Sequence, residues 1–90
     1  MARNNYADTQ YDGSDNASQT PDEAFFELGL MCSVGCSTPP DLVSAHKWFN
    51  LAAMLGNKDA IKMRVEVAGE MSQSDIATAQ RAARAWLTRH

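Results

Sequence analysis

The chain has 90 residues, which allows one domain with a small hydrophobic core. Its formal net charge of −3 at pH 7 argues against nucleic-acid and anionic-membrane partners, because such binding relies on Lys and Arg side chains that neutralise phosphates. The sequence contains neither the apolar run of a signal peptide nor a segment suited to membrane insertion, so we expect a cytoplasmic protein with reduced thiols.

Residues 1–19 have the composition of a disordered tail, because polar residues dominate and only Tyr6, Tyr11 and a few alanines are available for burial. We expect the folded domain to occupy residues 20–90, which is close to the size at which single domains are marginally stable. The N-terminal part of the chain is acidic and the C-terminal third is basic. Both observations are compatible with support from a partner protein or a second copy, although an ordinary solvated surface also explains the charges.

The first predicted helix begins after Thr20, which can form a capping box with Glu23, and Pro21 stands where helices tolerate proline best. The helix extends to about Val34 and is apolar on two sides, so it needs cover on both. One side is formed by Ala24, Phe25, Leu28, Met31 and Cys32. The opposite side is a stripe formed by Phe26, Leu30 and Val34.

The second predicted helix follows a loop over 35–40 that contains two prolines. Thr38 is its expected cap, the two prolines are expected in its first turn, and it extends to Leu55. Its apolar side combines two large aromatic rings with alanines small enough to let another helix approach closely. That side is formed by Ala45, Trp48, Phe49, Ala52 and Leu55.

Two more helices follow. Gly56 can take the left-handed conformation that ends the second helix, and Asn57 can cap a third that reaches about Gly69 or Glu70. Ser72 and Asp75 have the capping pattern of a fourth helix. Its apolar side is formed by Ile76, Ala79, Ala83, Trp86 and Leu87. We therefore predict an all-α fold of four helices arranged as two stacked antiparallel pairs.

The two pairs form an internal repeat with a period in the thirties, which is typical of alpha solenoids with two helices per unit. Glu23 and Ala24 recur as Asp59 and Ala60, and the set Ala45, Trp48 and Phe49 recurs as Ala83, Trp86 and Leu87. A further pattern is formed by Ala24, Leu28, Gly29, Leu30, Met31, Gly35, Asp41, Ala45, Trp48, Phe49, Ala52, Ala53, Gly56, Asn57 and Ala60. In these positions the chain resembles the Sel-one-like repeat family, a relative of the tetratricopeptide repeat. The resemblance covers one nearly complete unit at 22–57, and 58–89 looks like a degenerate capping unit.

The resemblance implies a protein without a catalytic centre or cofactor, because members of this family act as protein-interaction scaffolds and adaptors. We therefore expect a small non-catalytic interaction module, an adaptor or accessory subunit of a larger protein complex. One alternative is a small regulator or inhibitor that docks on an enzyme and occludes its site. Another is a thiol-based redox or metal sensor that uses Cys32 and Cys36.

The chemistry-bearing residues do not form a catalytic or metal-binding pattern. Cys32 and Cys36 are a C-x-x-x-C pair, and only His46 and His90 are available to complete the four ligands of a structural zinc site. Cys32 is predicted to be a small core residue. His46 lies beside Lys47 on the expected outer side of the second helix without an acid to orient it, so we predict a surface histidine and no catalysis.

Five residues are predicted to bind a partner protein. Arg64 lies mid-way across the apolar face of the third helix, so it either extends along the core to an acid such as Glu27 or anchors a partner. The stripe on the first helix either meets Ile61 and Val65 of the third helix or faces water, where an apolar patch marks an interface. The predicted partner-binding residues are Phe26, Leu30, Val34, Trp48 and Arg64.

Overall fold

The computed structural model describes residues 19–35 and 39–89, and these residues form four α-helices and no strand. The prediction of an all-α fold with four helices is therefore confirmed for this part of the chain. Most of the predicted tail lies outside the described residues, as do Cys36, Thr38 and His90. In chain order the helices are α1 (Pro21–Val34), α2 (Leu42–Met54), α3 (Lys58–Ala68) and α4 (Gln73–Arg89).

Both ends of α1 are set by the predicted capping residues. The backbone N–H of Thr20 donates to Glu23 Oε1 at 3.0 Å, so the acid satisfies a donor that the helix itself leaves open. At the other end, Gly35 has a φ of 71° and donates its N–H to the carbonyl of Met31 at 3.0 Å. Glycine favours this left-handed conformation because it has no Cβ.

The start of α2 differs from the prediction. The helix begins at Leu42, after the two prolines, and Asp41 is its N-cap: Oδ1 accepts from the Ser44 N–H at 3.0 Å and Oδ2 accepts from the Ser44 hydroxyl at 2.8 Å. These two hydrogen bonds lower the pKa of Asp41. The expected first turn at the prolines is wrong, because Pro40 disfavours helical geometry at Pro39 and a carboxylate then caps the next turn.

The short connections on either side of α3 form as predicted. Gly56 has a φ of 96°, and Asn57 accepts a hydrogen bond at Oδ1 from the Ala60 N–H at 2.8 Å. Before α4, Ser72 Oγ accepts from the Asp75 N–H at 3.0 Å. Because Asn57 also donates from Nδ2 to Asp22 Oδ2 at 3.0 Å, the N-cap of α3 is bound to the first turn of α1.

Helix α2 is the centre of the domain. Each of α1, α3 and α4 packs against it, whereas α1 and α3 touch only slightly, and α4 meets α2 in preference to its sequence neighbour α3. The fully buried aromatic side chain is Phe49 on α2, and it lies against α1. The other buried hydrophobic residues of the described chain are Ala45, Leu51, Ala52, Ala60, Val67, Ala79 and Ala83.

Candidate interaction surface

The structure divides the predicted stripe of α1 into a covered part and an open part. Phe26 and Leu30 are half-buried and pack against the core, where the rings of Phe26 and Phe49 have centroids 5.7 Å apart. Val34, one turn further along, is 66% exposed. The stripe therefore contributes two residues to the fold and only Val34 to the open surface.

Trp48 belongs to a cluster of three rings that joins α1, α2 and α4. Its indole stacks on Phe25 with centroids 5.7 Å apart, and Trp86 meets both rings edge-on at 5.1 and 6.0 Å. Lys47 Nζ lies 4.1 Å from the centroid of the Trp48 ring, a cation–π distance. These contacts place Trp48 mainly in the packing of the helices, because its neighbours within the chain already use much of its ring surface.

Arg64 is held by a neighbour that the sequence analysis did not consider. Its Nη1 donates to Asn50 Oδ1 at 2.8 Å, which connects α3 to α2. No ion pair between Arg64 and Glu27 is present among the described residues. The half-buried guanidinium therefore has an uncharged partner on the central helix. This differs from both predicted arrangements, which were a contact with an acid such as Glu27 and an anchor for a partner protein.

His46 is buried, so the prediction of a surface histidine is wrong. Its side chain is 3% exposed, and Nδ1 has no hydrogen-bond partner among the described residues. Burial lowers the pKa of His46, and the positive charge of Arg64 lowers it further. The prediction treated α2 as a helix with one covered side, whereas three helices surround it.

Exposed apolar side chains occur in several places of the described chain, including Met54 and Leu55 at the end of α2 and Leu87 on α4. Two groups of them bear on the predicted stripe. We call Leu28, Met31 and Val34 the α1 patch, and Ile61 with Val65 the α3 stripe. Met31 is 53% exposed, and the α3 residues are 42% and 64% exposed. Helices α1 and α3 touch only slightly and Val34 is mostly exposed, so the α3 stripe covers little of Val34. Leu28 and Met31 were predicted on a covered side. Their spacing of three residues from one another and from Val34 is the signal for a shared open side.

Among the described residues, no arrangement of side chains supports the hypotheses of a thiol sensor or a metal site. Cys32 is half-buried and packs against the core, and Cys36 lies outside the described residues. Within residues 19–35 and 39–89, no three side chains of His, Cys, Asp or Glu converge in a metal-binding arrangement. In the same part of the chain, no helix has the length and apolar character needed to cross a membrane.

Comparison with known proteins adds no relative: neither protein-family models, nor curated proteins, nor solved structures match this chain.

Proposed function

We propose that this chain is a small non-catalytic protein-interaction module, an adaptor or accessory subunit of a larger protein complex. The observation that carries the proposal is the α1 patch. On one helix, Met31 and Val34 are 53% and 66% exposed, and Leu28 beside them is 37% exposed. Contiguous exposed apolar surface of this kind usually marks a protein interface.

The distribution of side-chain sizes supports the same proposal. Alanine supplies most of the buried hydrophobic residues in the described chain, whereas Leu, Met, Ile and Val side chains stand exposed on the outer helices. A buried alanine contributes little hydrophobic free energy compared with a Leu or Val side chain. A second polypeptide on the open faces would bury the apolar area that the fold leaves unused.

We propose further that α1 and α2 form one antiparallel pair of the Sel-one-like type, whereas α3 and α4 each pack on α2 and hardly on one another. The tight turn at Gly56 and Asn57 and the alanine-lined contacts of α2 support this arrangement. Within residues 19–89, α1 packs chiefly on α2, which leaves its outer side without a covering helix. The α1 patch is the surface that a partner would then occupy.

The test is affinity purification of the tagged full chain from its native host, with Met31→Lys as the disrupting variant. Gln80→Lys adds the same charge at an exposed position of α4 and serves as the control. We expect the unchanged chain and the Gln80→Lys variant to recover the same stoichiometric partner, and the Met31→Lys variant to lose it. Far-ultraviolet circular dichroism establishes that all three proteins keep equal helix content.

Recovery of the same partner by the Met31→Lys variant would show that the α1 patch does not bind this partner. A chain that recovers no stoichiometric partner in any form would contradict the proposed function itself.

A further inference from the structure

The outer face of α3 has an unusual order of charges. Ile61 and Val65 lie one turn apart at its middle and are exposed. Lys58 and Lys62 outnumber Asp59 toward the N-terminal end, and Glu66 lies toward the C-terminal end. Glu70 follows one residue beyond the C-cap position of the helix, Gly69, and adds a second acid there. The face therefore runs from a net positive charge, through apolar residues, to a net negative charge.

These charged side chains have no partner within the described part of the chain. Lys58, Lys62, Glu66 and Glu70 are all exposed, and none forms a side-chain hydrogen bond or ion pair there. Lys62 and Glu66 are spaced for a pair within the helix but do not make one. All four side chains are available to a second molecule.

The rest of α3 faces inward and leaves this side open to approach. Ala60 and Val67 are buried against the central helix, and Met63 packs beside them. On a helical wheel these residues lie opposite Val65 and Lys62. Since α3 packs chiefly on α2, no other helix of the described chain covers its outer side.

We infer that the occupant of this face is the same face of a second copy of the chain, packed antiparallel about a two-fold axis. An axis near the middle of α3 places Lys62 opposite Glu66 of the second copy. The same axis places Lys58 opposite the second copy's Glu70. A two-fold axis makes each contact twice, so the face is self-complementary in charge.

The apolar residues fit the same symmetry. Ile61 and Val65 lie together on one flank of the face, and the antiparallel arrangement brings each of them against the other residue of the second copy. A parallel pair would instead bring Lys58 and Lys62 against the same lysines. The charge pattern thus selects one orientation.

The contact is small, which determines the strength of the pairing. Helix α3 has 11 residues and is about 16 Å long, whereas a standard stable interface buries about 800 Å² on each partner. We therefore expect a weak dimer that depends on protein concentration. Its exposed ion pairs should weaken as salt rises, because the Debye length shortens.

This dimer goes beyond the proposed function, because it uses the α3 stripe and leaves the α1 patch open. Either inference can fail alone: the Met31→Lys variant should dimerise normally, and variants of α3 should still recover the partner of the α1 patch.

Sedimentation equilibrium of the full chain tests the inference, with charge-reversed variants at protein concentrations up to about millimolar. One variant carries Lys58→Glu with Lys62→Glu, and a second carries Glu66→Lys with Glu70→Lys. Each should repel its own copy and raise the dimer dissociation constant about tenfold or more. An equimolar mixture of the two should form a heterodimer, and all four reversals in one chain should restore self-association.

Arg81→Glu with Arg84→Glu on the exposed side of α4 is the control, and it should leave the dissociation constant within about twofold of the starting value. Equal circular dichroism spectra show that each variant is folded. The inference is overturned if the unchanged chain stays monomeric at the highest concentration. It is also overturned if each reversed pair dimerises as well as the unchanged chain, or if the mixture fails to form the heterodimer.

Discussion

Helices α2 and α3 have similar lengths, adjacent places in the chain and well-formed N-caps, but they bury very different fractions of their surface. The buried hydrophobic residues of α2 are Ala45, Phe49, Leu51 and Ala52. The side chain of His46, on the same helix, is buried as well. Helix α3 buries Ala60 and Val67, whereas its two exposed β-branched residues form the α3 stripe. The difference follows from the number of neighbours, since three helices pack on α2 and chiefly one packs on α3.

The comparison shows that the apolar residues of the described chain fall into a buried group and a partly exposed group. Those on α2 stabilise the domain, because they lose their contact with water when the chain folds. Those on the α3 stripe and the α1 patch contribute less to folding, because each keeps 37–66% of its surface exposed. Both proposals assign them to association with another molecule.

The largest expected effect comes from removing the central ring. Phe49→Ala should lower the free energy of unfolding by about 3–5 kcal/mol, because it deletes a fully buried side chain and leaves a cavity. For a domain of this size such a loss is comparable with the whole stability. The matched variant Val65→Ala should change the free energy of unfolding by about 0.5 kcal/mol or less.

Urea unfolding of dilute protein, followed by circular dichroism, measures both values. Dilution keeps the proposed dimer from contributing to the stability. If Val65→Ala lowered the free energy of unfolding as much as Phe49→Ala does, the outer face of α3 would have to be covered within the single chain.

A smaller loss is expected at the point where α1 approaches α2. A Cβ atom added at Gly29 would lie 2.5 Å from Cε1 and 2.6 Å from Cδ1 of the Phe49 ring. Glycine to alanine inside a helix normally stabilises by about 0.5–1 kcal/mol. Gly29→Ala should instead destabilise the domain by about 1–3 kcal/mol, because the enclosed ring has no room to move.

A double-mutant cycle with Phe49→Leu tests the physical reason. The smaller side chain gives the new methyl group space, so the loss from Gly29→Ala should shrink in the Phe49→Leu background. Independent, additive losses in the same urea measurements would rule out the clash as the cause.

Features that depend on local chemistry were the ones predictable from the sequence. The caps at Thr20, Gly35, Asn57 and Ser72 need only the residues of one turn, and the structure contains them. The start of α2 was predicted wrongly because the chain has two residues that can cap it. The predicted cap was Thr38, and the cap in the structure is Asp41, three residues later. The prediction chose Thr38, although local rules allow either residue to cap a helix.

Features that depend on neighbouring helices were less predictable. Helical periodicity shows which side chains share a side, but it does not show how many helices cover that side. Met31 was therefore assigned to a covered side and is exposed, and His46 was assigned to an open side and is buried. Arg64 found its partner in Asn50, fourteen residues away on α2, which no local pattern indicates.

The smallest expected effect concerns His46 and is confined to acidic solution. Because burial and Arg64 lower its pKa in the folded chain, the unfolded chain takes up the proton first as pH falls below about 6.5. The contribution of His46 to stability should thus be complete above this pH and decline below it. The hydrogen-bonded carboxylates of Asp22 and Asp41 have lowered pKa values, so their loss begins only below about pH 4.

Urea unfolding at a series of pH values separates the two ranges. His46→Gln should remove the decline between about pH 6.5 and pH 5, whereas His90→Gln, which replaces the other histidine of the chain, should retain it. The same decline in the His46→Gln variant would mean that another group titrates there. Loss of the decline in the His46→Gln variant would show that burial of His46 makes the stability depend on pH. This burial follows from the three helices around α2, and Nδ1 of His46 has no partner among the described residues.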